Sequence, residues 1–353
     1  MASTSQSSST SPKLLDYSDT SKFTPFIAHE PRLVLGEGIQ YRPSDKTLHY
    51  LDIERTPASA LFVAQLNDNG ELVGKPRMVE VKGSRYVTAL AFRKDHPQSY
   101  LCTTNTGLAY LSEETGELED LPNGLGQIIS EDQKEDLRFN DAFCDSKGRF
   151  YFHSMSRDES STRGKLYMYT PDMTSVSDLK VLEEDFAVGN GPVIDEERRR
   201  FYFNKTSNGV GYVYDYDPET GLISNRRGFF DNHKRRPSSL FDPLTTAVGP
   251  GFPDGHTMDS AGNIYQAVFG RGLIERFTPE GVNDLTIKLG ARCPTCPVFA
   301  GKDLKQLYIT TASKPLYPGE KELIGDLGGC ILKVDLSDHM QAVDGTIKPC
   351  FNA

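Results

Sequence analysis

One unit recurs six times along the chain: an apolar stretch, a turn rich in Asp, Lys and Gly, and then a strand-like run with a tyrosine at one phase. The copies are "YRPSDKTLHYLDI", "FRKDHPQSYLCTT", "FCDSKGRFYFHSM", "VIDEERRRFYFNK", "MDSAGNIYQAVFG" and "AGKDLKQLYITTA". Their tyrosines, Tyr50, Tyr100, Tyr151, Tyr202, Tyr265 and Tyr308, stand 50, 51, 51, 63 and 43 residues apart. A sixfold period near fifty residues leaves few architectures open. Second alternating runs follow, among them "GKLYMYTP" from Gly164, "GYVYDYDP" from Gly211, "GLIERFTP" from Gly272 and "GCILKVDL" from Gly329. Aromatic and β-branched residues at period two, closed by Asp-Pro or Thr-Pro turns, indicate antiparallel strands. Several strands per unit and almost no 3.6-residue periodicity predict an all-β chain, a six-bladed β-propeller of four-stranded antiparallel blades around a central funnel. A blade cannot bury both faces alone, so residues 23–353 are expected to form one domain. The long interval after Tyr202 marks a loop insertion over 231–250, rich in Pro, Ser and Gly, as a candidate lid over one end of the channel. Ring closure falls either to "KFTPFIAHEPRLVLG" or to the C-terminal "GTIKPCFNA".

Composition narrows the function classes. The start "MASTSQSSSTSPK" is Ser/Thr-rich without an apolar core, so residues 1–22 read as a disordered tail and the protein as cytoplasmic rather than exported. No apolar run approaches the ~18 residues of a membrane span, so no membrane partner is expected. Against 49 Asp and Glu there are 39 Lys and Arg, and the short basic clusters are diluted by acids, which disfavours nucleic acid as a partner. Cys102 and Cys144 lie in strand-like runs where buried free thiols are usual. Cys293-Pro-Thr-Cys296 lacks the second pair that a zinc site needs, and Cys330 and Cys350 are not spaced as one, so these are read as structural or free thiols. Oligomeric state is left open.

Counting back from each repeat tyrosine reaches an equivalent position at the start of the innermost strand. Those positions hold Glu37, Thr88, Asn140, Asn190, Asp254 and Cys296. In a propeller this end of the strand faces the axis, so six residues remote in sequence form a ring. Glu37 in "LGEGIQ", Asn190 in "VGNGPV" and Asp254 in "FPDGHT" also suit glycine-rich turns, where Asn and Asp bond their own backbone. Their shared blade phase is what argues for function. Two carboxylates at a channel mouth repel one another unless a cation is present. Oxygen ligands suit Ca²⁺, Mg²⁺ or Mn²⁺ better than a soft metal.

The segments "LGEGIQYRPSDKTLHYLDI", "RFNDAFCDSKGRFYFHSM", "VGNGPVIDEERRRFYFNK", "GFPDGHTMDSAGNIYQAVFG" and "CPVFAGKDLKQLYITTA" resemble, in order, the senescence marker protein/gluconolactonase/luciferin-regenerating family, over roughly residues 33–337. The resemblance implies a six-bladed propeller with one divalent metal ion, calcium foremost and Mg, Mn or Zn as the other choices. It implies Glu37, Asn190 and Asp254 as metal ligands, Asn140 in contact with metal-bound water or substrate, and Arg138 of "RFND" on substrate oxygens. Asp254 doubles as a candidate general base, and Asn140 and Asp254 as the catalytic residues. The sugar lactonases of animals carry a further glutamate in the loop after the "RFND" blade. Here that loop is "SRDESSTRGK", with Asp158 and Glu159 as candidates for substrate contact. His256 stands where the family often has an apolar residue and is a further candidate on the funnel wall.

The leading expectation is therefore a metal-dependent hydrolase that opens a lactone by attack of metal-activated water on the carbonyl carbon, with a small molecule as its partner. Two other classes remain. One is the same fold recruited to biosynthesis for a cyclisation, isomerisation or pericyclic step on a natural product, since fold does not fix function. The other is a non-catalytic interaction propeller, which has no need of carboxylates and amides at one blade phase. No GxSxG elbow, Walker A pattern or post-strand GxGxxG is present.

Overall fold

The six repeat tyrosines all lie on second strands of successive blades and are at most 2% exposed. In the computed structural model, which describes residues 11–235, 249–316, 325–340 and 343–352, the chain is a six-bladed β-propeller. The innermost strands are Gly36–Arg42, Val87–Arg93, Leu137–Cys144, Gly189–Asp195, Phe252–Met258 and Pro294–Ala300, and each pairs antiparallel with the strand that carries the tyrosine.

Tyrosine is suited to this position because its ring fills the space between blades while its hydroxyl reaches a polar group there. The Tyr100 hydroxyl bonds His49 of the preceding blade at 2.8 Å, Tyr151 donates to the Gly221 carbonyl of the following one at 3.1 Å, and Tyr308 to that of Gly70 at 2.6 Å. The apolar core is likewise shared between neighbours. Phe230 and Phe277 stack across one blade boundary at 4.6 Å, and Tyr265 meets Phe299 edge-on across the next at 5.0 Å. No blade closes a core of its own.

Both chain ends contribute, in different ways. Ile27 bridges antiparallel to Ile331, placing the N-terminal segment in the outer position of the sixth blade, which has three strands of its own. This is the ring closure. The strand Lys13–Tyr17 pairs parallel with Asn283–Leu289, giving the fifth blade a fifth strand. That corrects the disordered span expected over 1–22: the outer edge of Asn283–Leu289 offers unpaired backbone groups, and "KLLDY" satisfies them. Residues 1–10 lie outside the described residues. Of the insertion expected over 231–250, the described part is the end of Ile223–Asp231, the short helix Asn232–Arg235 and residues 249–250; the rest lies outside the described residues. None of the six cysteines forms a disulfide, and five of them are buried.

The C-terminal segment turns under the ring instead of joining its circumference. Phe351 is fully buried there, stacked on Tyr169 and edge-on to Phe150. Truncating a fully buried aromatic ring typically costs about 3–5 kcal/mol. Phe351→Ala is expected to lose stability of that size in urea unfolding, and a loss below about 1 kcal/mol would show that the segment is not part of the core.

Candidate active site

Each of the six innermost strands breaks register with its partner at the same level, between Glu37 and Gln40, Val87 and Ala89, Phe139 and Ala142, Asn190 and Val193, Pro253 and His256, and Pro294 and Pro297. A bulge of this kind inserts a residue, bends the strand and re-aims a side chain. Six of them at one level turn six side chains toward the axis. The glycines beside them are needed locally: Gly38 and Gly191 take φ of 61° and 82°, and a Cβ on Gly191 would lie 2.5 Å from the His256 ring.

The bulges bring Glu37, Asn140, Asn190 and Asp254 to the floor of one cavity of about 410 Å³. Thr88 and Cys296 share the level but not the cavity. Thr88 is tied to the Thr103 hydroxyl at 2.8 Å, and Cys296 is buried below the floor. The amides are held in a chain. Arg138 donates to Asn140 Oδ1 at 2.8 Å, which turns Asn140 Nδ2 toward Asn190 Oδ1 at 3.0 Å. Asn190 Nδ2 donates to the Thr206 hydroxyl at 2.9 Å, and Thr206 donates to the Pro253 carbonyl at 2.8 Å. Asn204 and Gln266 fix the Asp254 carbonyl at 2.8 and 2.9 Å.

The carboxylates are far less well satisfied. Among the described residues Glu37 Oε2 accepts only the Gly38 N–H at 3.1 Å, and neither Glu37 nor Asp254 has an ion pair there. Burial, and then the charge of nearby Asp141, push the Glu37 carboxyl up to about 8. Burial, and then Glu37 and Asp141, hold Asp254 well above the usual carboxylate range. Asp141 is a third buried acid, raised by burial, whose oxygens accept the N–H groups of Ala142 at 2.9 Å and Gly191 at 3.2 Å. Its oxygens are thereby committed to backbone, so the oxygen donors left for a cation at the floor are two carboxylates and the remaining lone pair of Asn190 Oδ1, whose other one accepts from Asn140. This set fits a hard divalent cation, and its repulsion is what a cation would relieve. Among the described residues no three Asp, Glu, His or Cys side chains form a ligand cluster by themselves, so such an ion would depend on an amide oxygen.

Of the remaining expected residues, Arg138 and Glu159 line the cavity. Asp158 does not. Its carboxylate accepts the N–H groups of Ser160 at 3.0 Å and Ser161 at 2.9 Å on the exposed loop, and it is corrected from substrate contact to loop closure. His256 is also corrected. It shares the axis-facing side of its strand with Asp254 but lies deeper, beneath the cavity, with Nδ1 3.1 Å from Asn204 and 3.2 Å from Gln266. Burial lowers it to about 4, so it is neutral. Sequence reasoning missed Thr206, Ser207 and Lys314 on the wall, and Lys314 is paired with Glu54 at 3.1 Å. It also missed an apolar mouth of Leu35, Met155, Val188, Phe252, Phe269 and Leu316.

Residues 35–313 match the SMP-30/Gluconolactonase/LRE-like region. A putative sugar lactone lactonase of Bacillus subtilis is 29% identical over 294 residues, 83% of this chain and 88% of that protein. A pentonolactonase of Haloferax volcanii is 30% identical over 223 residues, covering 60% of this chain and 70% of that protein. Among solved structures, a calcium-binding protein, regucalcin, from Agrobacterium tumefaciens superposes with a TM-score of 0.74 at 20% identity, over 97% of this chain and 99% of that one.

The raised Glu37 carboxyl binds a proton in the folded state that it releases when unfolded, so its contribution to stability is complete below about pH 4.5 and is lost as pH rises through about 8; Asp254 and Asp141, also raised, act in the same direction. Buried His29, His49, His153 and His256, held near 3 to 4, act oppositely and cost stability as pH falls below 6.5. Metal-stripped protein should therefore lose thermal stability from pH 6.5 to 8.5, by roughly 5 °C. Glu37→Gln should flatten that slope; an unchanged slope in the variant would contradict the assignment.

Proposed function

The chain belongs to the SMP-30/gluconolactonase/LRE-like family, and from that premise we propose that it is a lactone hydrolase that depends on a divalent metal ion held by Glu37, Asn190 and Asp254. The observation that carries the reading is the pair of buried carboxylates, without an ion pair among the described residues, converging with an amide on the floor of one open-mouthed cavity. Relatives named as lactonases support the reaction class, and relatives named regucalcin, such as that of Oryctolagus cuniculus at 28% identity, support a divalent ion with calcium as the first choice. A bound ion supplies Lewis acidity toward a carbonyl and lowers the pKa of water.

The protein's own groups supply the rest. Arg138, half-buried above the floor with its guanidinium turned to Asn140, presents a planar fork to the ring and carbonyl oxygens of a lactone. Asn140, fixed at both ends of its amide, orients the attacking water or the substrate. Asp254 accepts a proton from that water. The water oxygen adds to the carbonyl carbon, the ring C–O bond breaks, and the departing oxygen takes the proton, leaving a hydroxy acid.

The apolar mouth indicates which lactones enter. Hydroxyls pressed against Leu35, Met155 and Phe269 would lose water without gaining partners, whereas alkyl or aryl groups would be buried favourably. At about 0.8 kcal/mol per methylene, a four-carbon substituent is worth up to about 3 kcal/mol, on the order of a hundredfold in kcat/KM. The same wall favours an apolar substrate for the biosynthetic alternative, and the two are separated by product: a hydroxy acid in one case, an isomer or cyclised compound in the other.

Two measurements test these statements. Asp254→Asn should lower hydrolysis of the best lactone by at least about a thousandfold with the fold retained, and excess chelator should do the same until metal is restored. Full activity in either condition would overturn the proposal. On a panel from glucono-1,5-lactone to butyl- and phenyl-substituted lactones, the substituted compounds should lead by tenfold or more on the same burial arithmetic.

A further inference from the structure

The channel has a second end. Residues 343–352 cross beneath the ring as a strap: Gly345 bridges Asp259 and Thr346 bonds the Met258 carbonyl at 2.6 Å in the fifth blade. Phe351 donates its N–H to Phe92 at 2.8 Å in the second, and Asn352 reaches Lys147 at 2.8 Å in the third. Between these anchors Lys348 turns into the channel. Its ammonium donates to the Ile39 carbonyl of the first blade at 3.3 Å and lies 3.8 Å from Cys296 Sγ of the sixth. Both residues are completely buried. Among the described residues Lys348 has no carboxylate within ion-pair distance, yet its charge acts on Glu37 and is the foremost opposite charge on Asp141.

We propose that Lys348 is a built-in counter-charge, held by the C-terminal strap under the carboxylate floor, which stabilises the metal-free ring and weakens its hold on a divalent cation. This rests on the metal reading above. The physical reason is competition for one field. A fixed, part-buried positive charge below Glu37 and Asp141 offsets part of the repulsion at the floor, and the same charge repels an incoming cation across buried groups that screen less than water does. The geometry suits a fixed role. Arg138 and Lys314 approach the carboxylates from the open side, where substrate or solvent can replace their contacts, whereas Lys348 comes from the closed side on a segment anchored in three blades. It is a positioning residue, out of reach of the cavity.

The sign of the effect separates this role from simple bracing. Calcium and manganese affinities are measured by calorimetry on chelator-stripped full-length protein, with thermal unfolding of the stripped and loaded forms. Lys348→Met, which keeps the length and removes the charge, should bind about tenfold tighter and lower the melting temperature of the stripped protein while the loaded protein recovers most of the loss. Lys348→Arg should bind within about twofold of the native protein. Lys348→Gln gives the same reading should the methionine variant not fold. Equal or weaker binding in Lys348→Met or Lys348→Gln overturns the proposal, because a structural brace predicts weaker binding when lost. Absence of binding in the native protein overturns the metal reading instead, so the two failures are distinguishable.

Discussion

Everything at the centre of this propeller follows from three acids, Glu37, Asp141 and Asp254, buried around one axis without an ion pair among the described residues. Burying a carboxylate is costly, and burying several beside one another is more so. The fold tolerates this because the rest of the ring is over-determined. Blade cores run across the boundaries on both sides of the fifth blade, the inner strands are bulged at one level, and the amide chain from Arg138 to Pro253 holds Asn140 and Asn190 in place. Strain placed at a functional site and stabilised by surrounding packing is the common arrangement in enzymes.

The fold was legible in the sequence to an unusual degree because the repeat tyrosine has a reason to recur. A residue that must fill the space between blades and bond the neighbour does so once per blade, and the spacing of six such residues encodes the number of blades. The ring was legible for a related reason: the bulge that aims each side chain sits a fixed distance ahead of the tyrosine, so Glu37, Asn140, Asn190 and Asp254 share a phase. That phase did not separate the four that reach the cavity from Thr88 and Cys296, because depth along the axis is set by neighbouring side chains and not by position in the strand. His256 illustrates the same limit. Two residues beyond Asp254 it faces the same axis, but one pleat deeper, where burial keeps it neutral and off the lining of the cavity.

What the sequence did not carry lies outside the repeat. Asp158 and Glu159 are adjacent in one loop, yet two serine N–H groups tie down the first while the second, at a positive φ of 54°, lines the cavity. The apolar mouth is assembled from single residues of several blades and has no period to detect. The strand Lys13–Tyr17 was hidden inside a polar tail because an edge strand needs only backbone partners, and its exposed Leu14 gives no hint of burial. The C-terminal "GTIKPCFNA" offers itself equally as a closing strand, whereas closure is made at Ile27 and the C-terminal segment crosses beneath the ring.

These non-repeating parts make the two ends of the channel unequal, and the inequality is what turns a symmetric ring into a directional site. Near the open end the cations are Arg138, bonded to an amide, and Lys314, paired with Glu54, contacts that a bound anion or carbonyl oxygen can displace at small cost. At the closed end the cation is inserted between buried groups and covered by a strap whose Phe351 lies in the core. A charge that can be exchanged serves recognition; a charge that cannot sets the resting field. Six near-identical blades supply the frame for both, and the segments outside the repeat decide which end is which.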